Sequence, residues 1–307
     1  MNPFLEKLFG LLQLILPHHL ISRAVGALAR SETPWIKTTF INVFLKQFNI
    51  NMQEAEVEDP DQYPTFNAFF TRALKDGTRP ICADKDAIVS PADGAISQLG
   101  RIRGSDVLQA KGQYFSLYEL VGGDQELASE FINGQFATVY LSPKDYHRVH
   151  MPLSGTLREM IYVPGRLFSV NQATTRQIPD LFARNERAVC VFDSEQGPFV
   201  VILVGAMIVA GIETVFAGQV TPLTRTVTRT RYPARDAIHL EKGAELGRFL
   251  LGSTAILLFH GERCLNVLSE GETVRLQPIE QLAQRYQKLI ADQAARLLGE
   301  QDAPAAS

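Results

Sequence analysis

The chain has 307 residues, of which 46% are hydrophobic and 21% charged, and its formal net charge is −3. That mixture supports a sizeable core, excludes a wholly disordered chain and argues against a nucleic-acid binder driven by overall charge. Cys82, Cys190 and Cys264 stand far apart with no CxxC pair, a pattern that disfavours a thiolate zinc site and fits a reducing compartment.

The first fifty residues predict helices. Leu5, Leu8, Leu12 and Ile15 recur at helical spacing until Pro17 ends or kinks the run. Leu20, Ile21, Ala24, Val25 and Leu28 make a second apolar face. After Ser31 and Pro34, a third runs from Trp35 through Phe40, Phe44 and Phe48. The stretch Leu8 to Leu16 is shorter than the roughly 20 residues a bilayer span needs, and no basic segment precedes it as in a secretory signal. No transmembrane helix is expected. Two readings of residues 1–50 stand together: a helical cap on the domain's own core, and an amphipathic anchor at a membrane surface.

Residues 51–64, with Pro60 and Pro64, read as a linker that closes a first region, 1–64. Phe66 to Leu74 resumes a short helix carrying Phe69, Phe70 and Arg72. From Arg79 to about residue 276, short β-rich runs such as Phe136–Leu141, Phe199–Val204 and Ala255–Phe259 alternate with Gly and Pro turns. Phe199 to Phe216 is apolar too, but Gly205, Gly211 and Glu213 interrupt it, which suggests buried strands. Ile279 to Leu298 returns to helical spacing, and 301–307 reads as a frayed end. The fold class is therefore α+β: an N-terminal helical region, then a β-rich domain over 65–307.

Three short stretches carry groups able to activate a hydroxyl: Ser90-Pro91-Ala92-Asp93-Gly94, Tyr146-His147-Arg148-Val149-His150 and Leu251-Gly252-Ser253-Thr254. Each alone is a common turn or strand. The two histidines lie three apart in apparently extended chain, where such positions point to opposite faces. That geometry suggests separate tasks and disfavours a shared metal. His18, His19, His239 and His260 lack such a setting.

These stretches, in order with Phe66–Arg72, Lys111–Tyr114, Asp145–Pro152, Gly165–Asn171 and Leu181–Arg187, resemble the bacterial phosphatidylserine decarboxylases across nearly the whole chain. One small departure, Ala68 where an acidic residue is usual, leaves the chemistry untouched. The resemblance implies a self-cleaving proenzyme. Ser253 would attack the Gly252 carbonyl, with His150 as base oriented by Asp93 as in a serine-protease relay. Cleavage at Gly252–Ser253 would leave a large chain, 1–252, and a small chain, 253–307, that stay together as a heterodimer; further dimerisation is left open. Ser253 would become a covalent pyruvoyl cofactor that forms a Schiff base with phosphatidylserine and accepts the electrons released with carbon dioxide. His147 is the candidate proton donor, and Ser169 a candidate substrate contact. A peripheral location at the cytoplasmic face of the bacterial inner membrane is implied as well, with Phe69 and Phe70 extending the apolar surface.

Two rivals remain at this stage. Turns such as Pro91–Ile96 and Lys242–Phe249 look like those of a biotinyl/lipoyl-type β-sandwich, which gives the β-rich domain sandwich character. A carrier of that type would need Lys242 exposed at a hairpin tip. A conventional serine hydrolase would use Asp93, His150 and Ser253, but the Gly-x-Ser-x-Gly elbow is missing.

Overall fold

Proline placement shapes the N-terminal region. In a computed structural model describing residues 3–85, 87–110, 112–208, 211–221, 224–261 and 273–274, helix α1 (Pro3–Ile15) stops just before Pro17. Helix α2 (His18–Ala29) departs at 87° to it, because proline has no N–H to continue the first helix. Helix α3 (Pro34–Gln47) starts on a proline, where the missing donor costs nothing. No single described helix is long and apolar enough to cross a membrane. Two 3₁₀ turns, Met52–Glu54 and Pro60–Gln62, lead to α4 (Phe66–Phe70), whose first turn is capped by the Thr65 hydroxyl accepting from the Ala68 N–H at 3.0 Å.

Helices α3 and α4 pack through aromatic rings. Phe44 meets Phe66, Phe69 and Phe70 edge-on at centroid separations of 5.2, 6.2 and 5.6 Å. Phe69 and Phe70 are therefore buried, at 0% and 1% exposure, and do not extend an outer apolar surface as the sequence suggested. Their partners lie some 25 residues earlier, beyond the reach of local patterning.

The remaining elements begin with β1 (Gly94–Arg101), β2 (Asp106–Ala110), β3 (Gln113–Ser116), α5 (Leu117–Leu120), α6 (Gln125–Glu130), β4 (Gln135–Leu141), β5 (Arg148–His150) and β6 (Gly155–Val163). Then come α7 (Gln172–Gln177), α8 (Leu181–Arg184), β7 (Arg187–Asp193), β8 (Phe199–Val204), β9 (Ile212–Thr214), β10 (Gly218–Gln219), β11 (Thr228–Arg231), β12 (His239–Leu240), β13 (Glu245–Phe249), β14 (Ser253–Phe259) and β15 (Thr273–Val274). The expected C-terminal helix, the frayed end and Cys264 lie outside the described residues.

Among the described residues one large sheet runs β11-β6-β7-β8-β14-β4-β1-β15, with β12 also on β6, and a smaller one runs β10-β9-β13-β5. Strands β7, β8 and β14 are almost continuous runs of Val, Ile, Leu, Ala and Phe, as strands covered on both faces must be. On one face, Val189, Val191, Val200, Ile202, Ile256 and Leu258 pack under the β2–β3 hairpin and helices α5 to α8. On the other, Ala188, Val201, Leu203, Ala255 and Leu257 meet Val149, Ile212, Leu246 and Phe249 of the smaller sheet. The helical region joins this body through α1 on α7, through α2, where His18 packs edge-on to Phe168 and the Ser22 hydroxyl accepts from the Ile208 N–H, and through the aromatic cluster on Leu251, beside the Gly252–Ser253 bond.

Candidate active site

Sheet register brings the three sequence stretches together. Ser253 opens β14 opposite Leu141 of β4, and Thr254 lies between Tyr140 and Val204. Tyr140 also pairs with Ala95 of β1, so the Asp93-Gly94 turn sits one strand away from the start of β14. Gly94 suits this approach, since a Cβ there would come within 2.4 Å of the Tyr140 carbonyl oxygen. Strand β5 is tied to both neighbours. The His150 N–H donates to the Pro91 carbonyl at 2.7 Å, and the Phe249 N–H to the His147 carbonyl at 3.0 Å. Gly252 has φ +28° with nothing within 4 Å of a built Cβ, so the turn needs glycine for its backbone conformation and not for lack of room.

The His150 ring is held at both nitrogens. Nδ1 lies 2.7 Å from the Gly243 carbonyl, which can only accept, so Nδ1 carries the hydrogen. In the neutral ring Nε2 is then the basic atom, and it accepts from the Tyr146 hydroxyl at 3.2 Å. Burial lowers the affinity of His150 for a proton below the ordinary value of 6.5. The Gly243 bond and the charges of Glu245 and Asp93 oppose that shift, and Arg148 adds to it. The relay reading gave the orienting bond to Asp93. Here the Nδ1 bond runs to a backbone carbonyl, and Asp93 acts on the ring through its charge. The Asp93 carboxylate is itself gripped by Arg79, at 2.8 to 3.1 Å.

His147 has a different setting, as opposite faces of an extended segment require. It is fully buried against Phe70, ring centroids 4.1 Å apart. Its Nδ1 donates to the Asp145 carbonyl at 2.7 Å, and its buried Nε2 has no hydrogen-bond partner. Burial pushes its pKa down to about 3, so the ring is neutral with a free lone pair at Nε2.

Ser169 lies where α1 docks: its N–H donates to Gln13 Oε1 at 3.0 Å, and its hydroxyl accepts from Asn171 Nδ2 at 3.1 Å. The next two residues, Val170 and Asn171, line a cavity of about 540 Å³ with Ala95, Tyr140, Gln109 and Arg176. Through Ala95 and Tyr140 this cavity reaches to within one residue of Gly94 and of Ser253. Lys242 is turned inward onto the carbonyls of Asp84 and Ala87, not displayed as a carrier lysine would be. Among the described residues no group of His, Cys, Asp and Glu converges to hold a metal ion.

Sequence reasoning missed Tyr146, Arg79 and the Gly243 carbonyl. Tyr146 was within reach, since it stands in the same short motif as His150. A lone arginine before a proline and a backbone oxygen carry no comparable signal.

The chain is similar to known proteins over most of its length. A family model described as phosphatidylserine decarboxylase matches residues 66–277, more than half of the chain, and a second, described as PSD, matches 8–49. Curated proteins named phosphatidylserine decarboxylase proenzyme are similar over most of the length. That of Alcanivorax borkumensis is 68% identical over 255 residues, covering 83% of this chain and 88% of the relative. That of Stutzerimonas stutzeri is 62% identical over 260 residues, covering 84% and 88%. That of Pseudomonas fluorescens Pf-5 is 58% identical over 275 residues, covering 88% and 96%. The chain belongs to the phosphatidylserine decarboxylase family.

Proposed function

We infer that the chain is a proenzyme that severs its own Gly252–Ser253 bond and then decarboxylates phosphatidylserine to phosphatidylethanolamine in phospholipid synthesis. The observation that carries the self-cleavage is the His150 ring, whose Nδ1–H is committed to Gly243 and whose basic Nε2 faces the Tyr146 hydroxyl, on a segment tied to Pro91 before Asp93 and to Phe249 before Gly252. For Nε2 to take the Ser253 hydroxyl proton, Tyr146 yields its place. The serine oxygen then bonds to the Gly252 carbonyl carbon, the peptide C–N bond breaks, and the freed amine takes a proton. Removal of the Ser253 Cα proton next breaks the Cβ–O bond. That leaves Gly252 as a carboxylate and residue 253 as dehydroalanine, which water converts to a pyruvoyl group with release of ammonia.

The surroundings suit such a group. Residue 253 heads a strand held on both edges, the turn before it has open space, and a buried nitrogen without a partner, His147 Nε2, lies nearby in the fold. A pyruvoyl ketone supplies the electron sink that carbon dioxide loss requires. His147, neutral at rest, takes at Nε2 the proton that the substrate ammonium must shed, and returns it to carbon after carbon dioxide leaves. It is thus a shuttle, not a standing acid. The cavity beside Val170 and Asn171 is placed to receive the lipid headgroup, with Ser169 at its border.

A lipid substrate requires access to a bilayer. Leu11, Leu12, Leu14, Ile15, Leu20 and Trp35 on α1 to α3 are exposed, Ile15 and Trp35 by 77% and 72%. These apolar groups support peripheral attachment through the helical region, in keeping with a cytoplasmic-face location in a bacterium.

Intact mass and gel of purified protein test the reading. Two chains are expected, the smaller lacking a free α-amine at its start and lighter than unmodified 253–307 by the mass of ammonia. Ser253→Ala should leave one inactive chain. Active enzyme with an intact serine at 253 overturns the proposal.

A further inference from the structure

Arg79 lies outside the motifs, on a segment fastened to the one that leads out of the helical region. The Glu56 N–H donates to the Ala73 carbonyl at 3.0 Å, and the Lys75 N–H to the Glu54 carbonyl at 2.9 Å. This pairing sets the Arg79 guanidinium between two carboxylates. Its Nε lies 3.1 Å from each Asp93 oxygen. Its Nη2 lies 2.8 Å from Asp93 Oδ2 and 2.7 Å from Glu54 Oε2, and Nη1 donates to the Thr78 carbonyl at 3.0 Å. The Arg79 and Asp93 side chains are each 9% exposed and Glu54 20%. An exposed ion pair would matter little, but a guanidinium fork on a buried carboxylate fixes its rotation as well as its place.

We infer that Arg79 is a positioning residue for self-cleavage, holding the Asp93 carboxylate in the orientation from which it acts on His150, and that Glu54 couples this grip to the seating of the segment that follows the N-terminal helices. The inference rests on the reading that Asp93 and His150 drive the cut. It orders events: residues 51–56 must dock before the catalytic acid is set, so the proenzyme cuts only after its helical region is in place.

The charge arrangement gives the inference a signature beyond rate. His150 faces Tyr146 and Arg148 from its own segment, Glu245 from β13, and Asp93 from the turn before β1. Asp93 in turn faces Arg79, Arg72, Asp145 and Tyr146. Removing the Arg79 cation takes away the guanidinium paired directly with the Asp93 carboxylate and leaves Arg72 to oppose its charge in part. His150 then holds its proton to higher pH, and the acid limb of cleavage moves upward.

The test is full-length chain made by cell-free translation, with release of the 253–307 fragment followed by gel from about pH 5 to 8, the range in which histidine titrates. Arg79→Met should slow cutting by ~10²-fold, the effect of a misplaced catalytic group, and displace the acid limb upward. Arg79→Lys restores the charge but not the fork, so the pH profile should return while the rate recovers only in part. Glu54→Gln should slow cutting less than Arg79→Met. Cutting of Arg79→Met at the normal rate, or slowed cutting on an unmoved profile that lysine does not rescue, overturns the inference. If Arg79→Met fails to fold, wild-type cutting by both Arg79→Lys and Glu54→Gln overturns it equally. Asp93→Asn separates the two readings: normal cutting there rejects the relay itself. Slow cutting there with normal cutting in Arg79→Met rejects only the role of Arg79.

Discussion

The small chain should remain locked in the large one after the cut, and the strength of that grip follows from where β14 lies. The strand is hydrogen-bonded along both edges, to β4 and to β8, and Ile256, Leu257, Leu258 and Phe259 are at most 2% exposed. Burying a side chain of this kind contributes about 1.5–3 kcal/mol, so these four alone contribute about 6–12 kcal/mol, before any backbone bond is counted. Withdrawing β14 would also leave two unpaired edges in the middle of a sheet and apolar surface on both of its faces. Separation of the chains is thus equivalent to unfolding. Gel filtration of cleaved enzyme in native buffer should show both chains in one peak, and in urea they should part only within the transition that abolishes secondary structure. Leu257→Ala should cost about 2–5 kcal/mol and lower the urea midpoint by roughly 1 M or more without parting the chains below it. Loss of the small chain during native dialysis, with the circular dichroism of the large chain unchanged, would refute the reasoning.

Other perturbations separate the remaining elements of the site. Gly252→Ala meets no neighbour but must adopt a positive φ, which costs about 1–2 kcal/mol; cleavage should slow by roughly 5- to 30-fold with a fall in melting temperature of about 2–8 °C, and an unchanged rate would show that the turn is not strained. Because burial holds His150 below its ordinary 6.5, the base is more than half unprotonated at that pH. The rate–pH curve of cleavage should therefore have its acid midpoint below 6.5; a midpoint at or above 6.5 contradicts the environment described. His147→Ala should cut at close to the normal rate yet lose decarboxylation, measured as carbon dioxide release per cleaved molecule. Ile15→Asp together with Leu20→Asp should weaken flotation with anionic liposomes by at least ~10-fold, and unchanged flotation would move the membrane contact elsewhere.

Much of the fold was legible because it is written in local periodicity. The three N-terminal helices follow from apolar residues at three- and four-residue spacing, broken at Pro17 and Pro34. The central strands β7, β8 and β14 follow from runs too apolar and too β-branched to lie anywhere but between two covered faces. Legibility ended where a group's partner is remote in sequence. Nothing near Phe69 and Phe70 announces that Phe44 will cover them, so two residues suited to a lipid surface proved to be the inner wall of the aromatic cluster. Gly243 aids His150 through its carbonyl, a group every residue possesses, and the partner of Asp93 stands fourteen residues upstream.

The histidine pair shows how far a simple spacing argument extends. Had the segment been helical, residues 147 and 150 would share a face, and their rings would shield, bond or jointly ligate one another. Extended chain turns them apart, and each then takes its character from what covers it. Tyr146, Gly243 and nearby carboxylates leave His150 partly solvated by polar groups, so it can bind a proton and release it, as a base must. Phe70 and the backbone of Asp145 leave His147 dry, with one nitrogen bonded and the other idle. Such a ring is a poor base toward water and a good one toward a cation delivered into the same dry space, which is the form in which an aminophospholipid headgroup arrives. On the roles proposed for His150 and His147, two successive reactions of opposite demand are served within four residues, provided the chain between them is a strand.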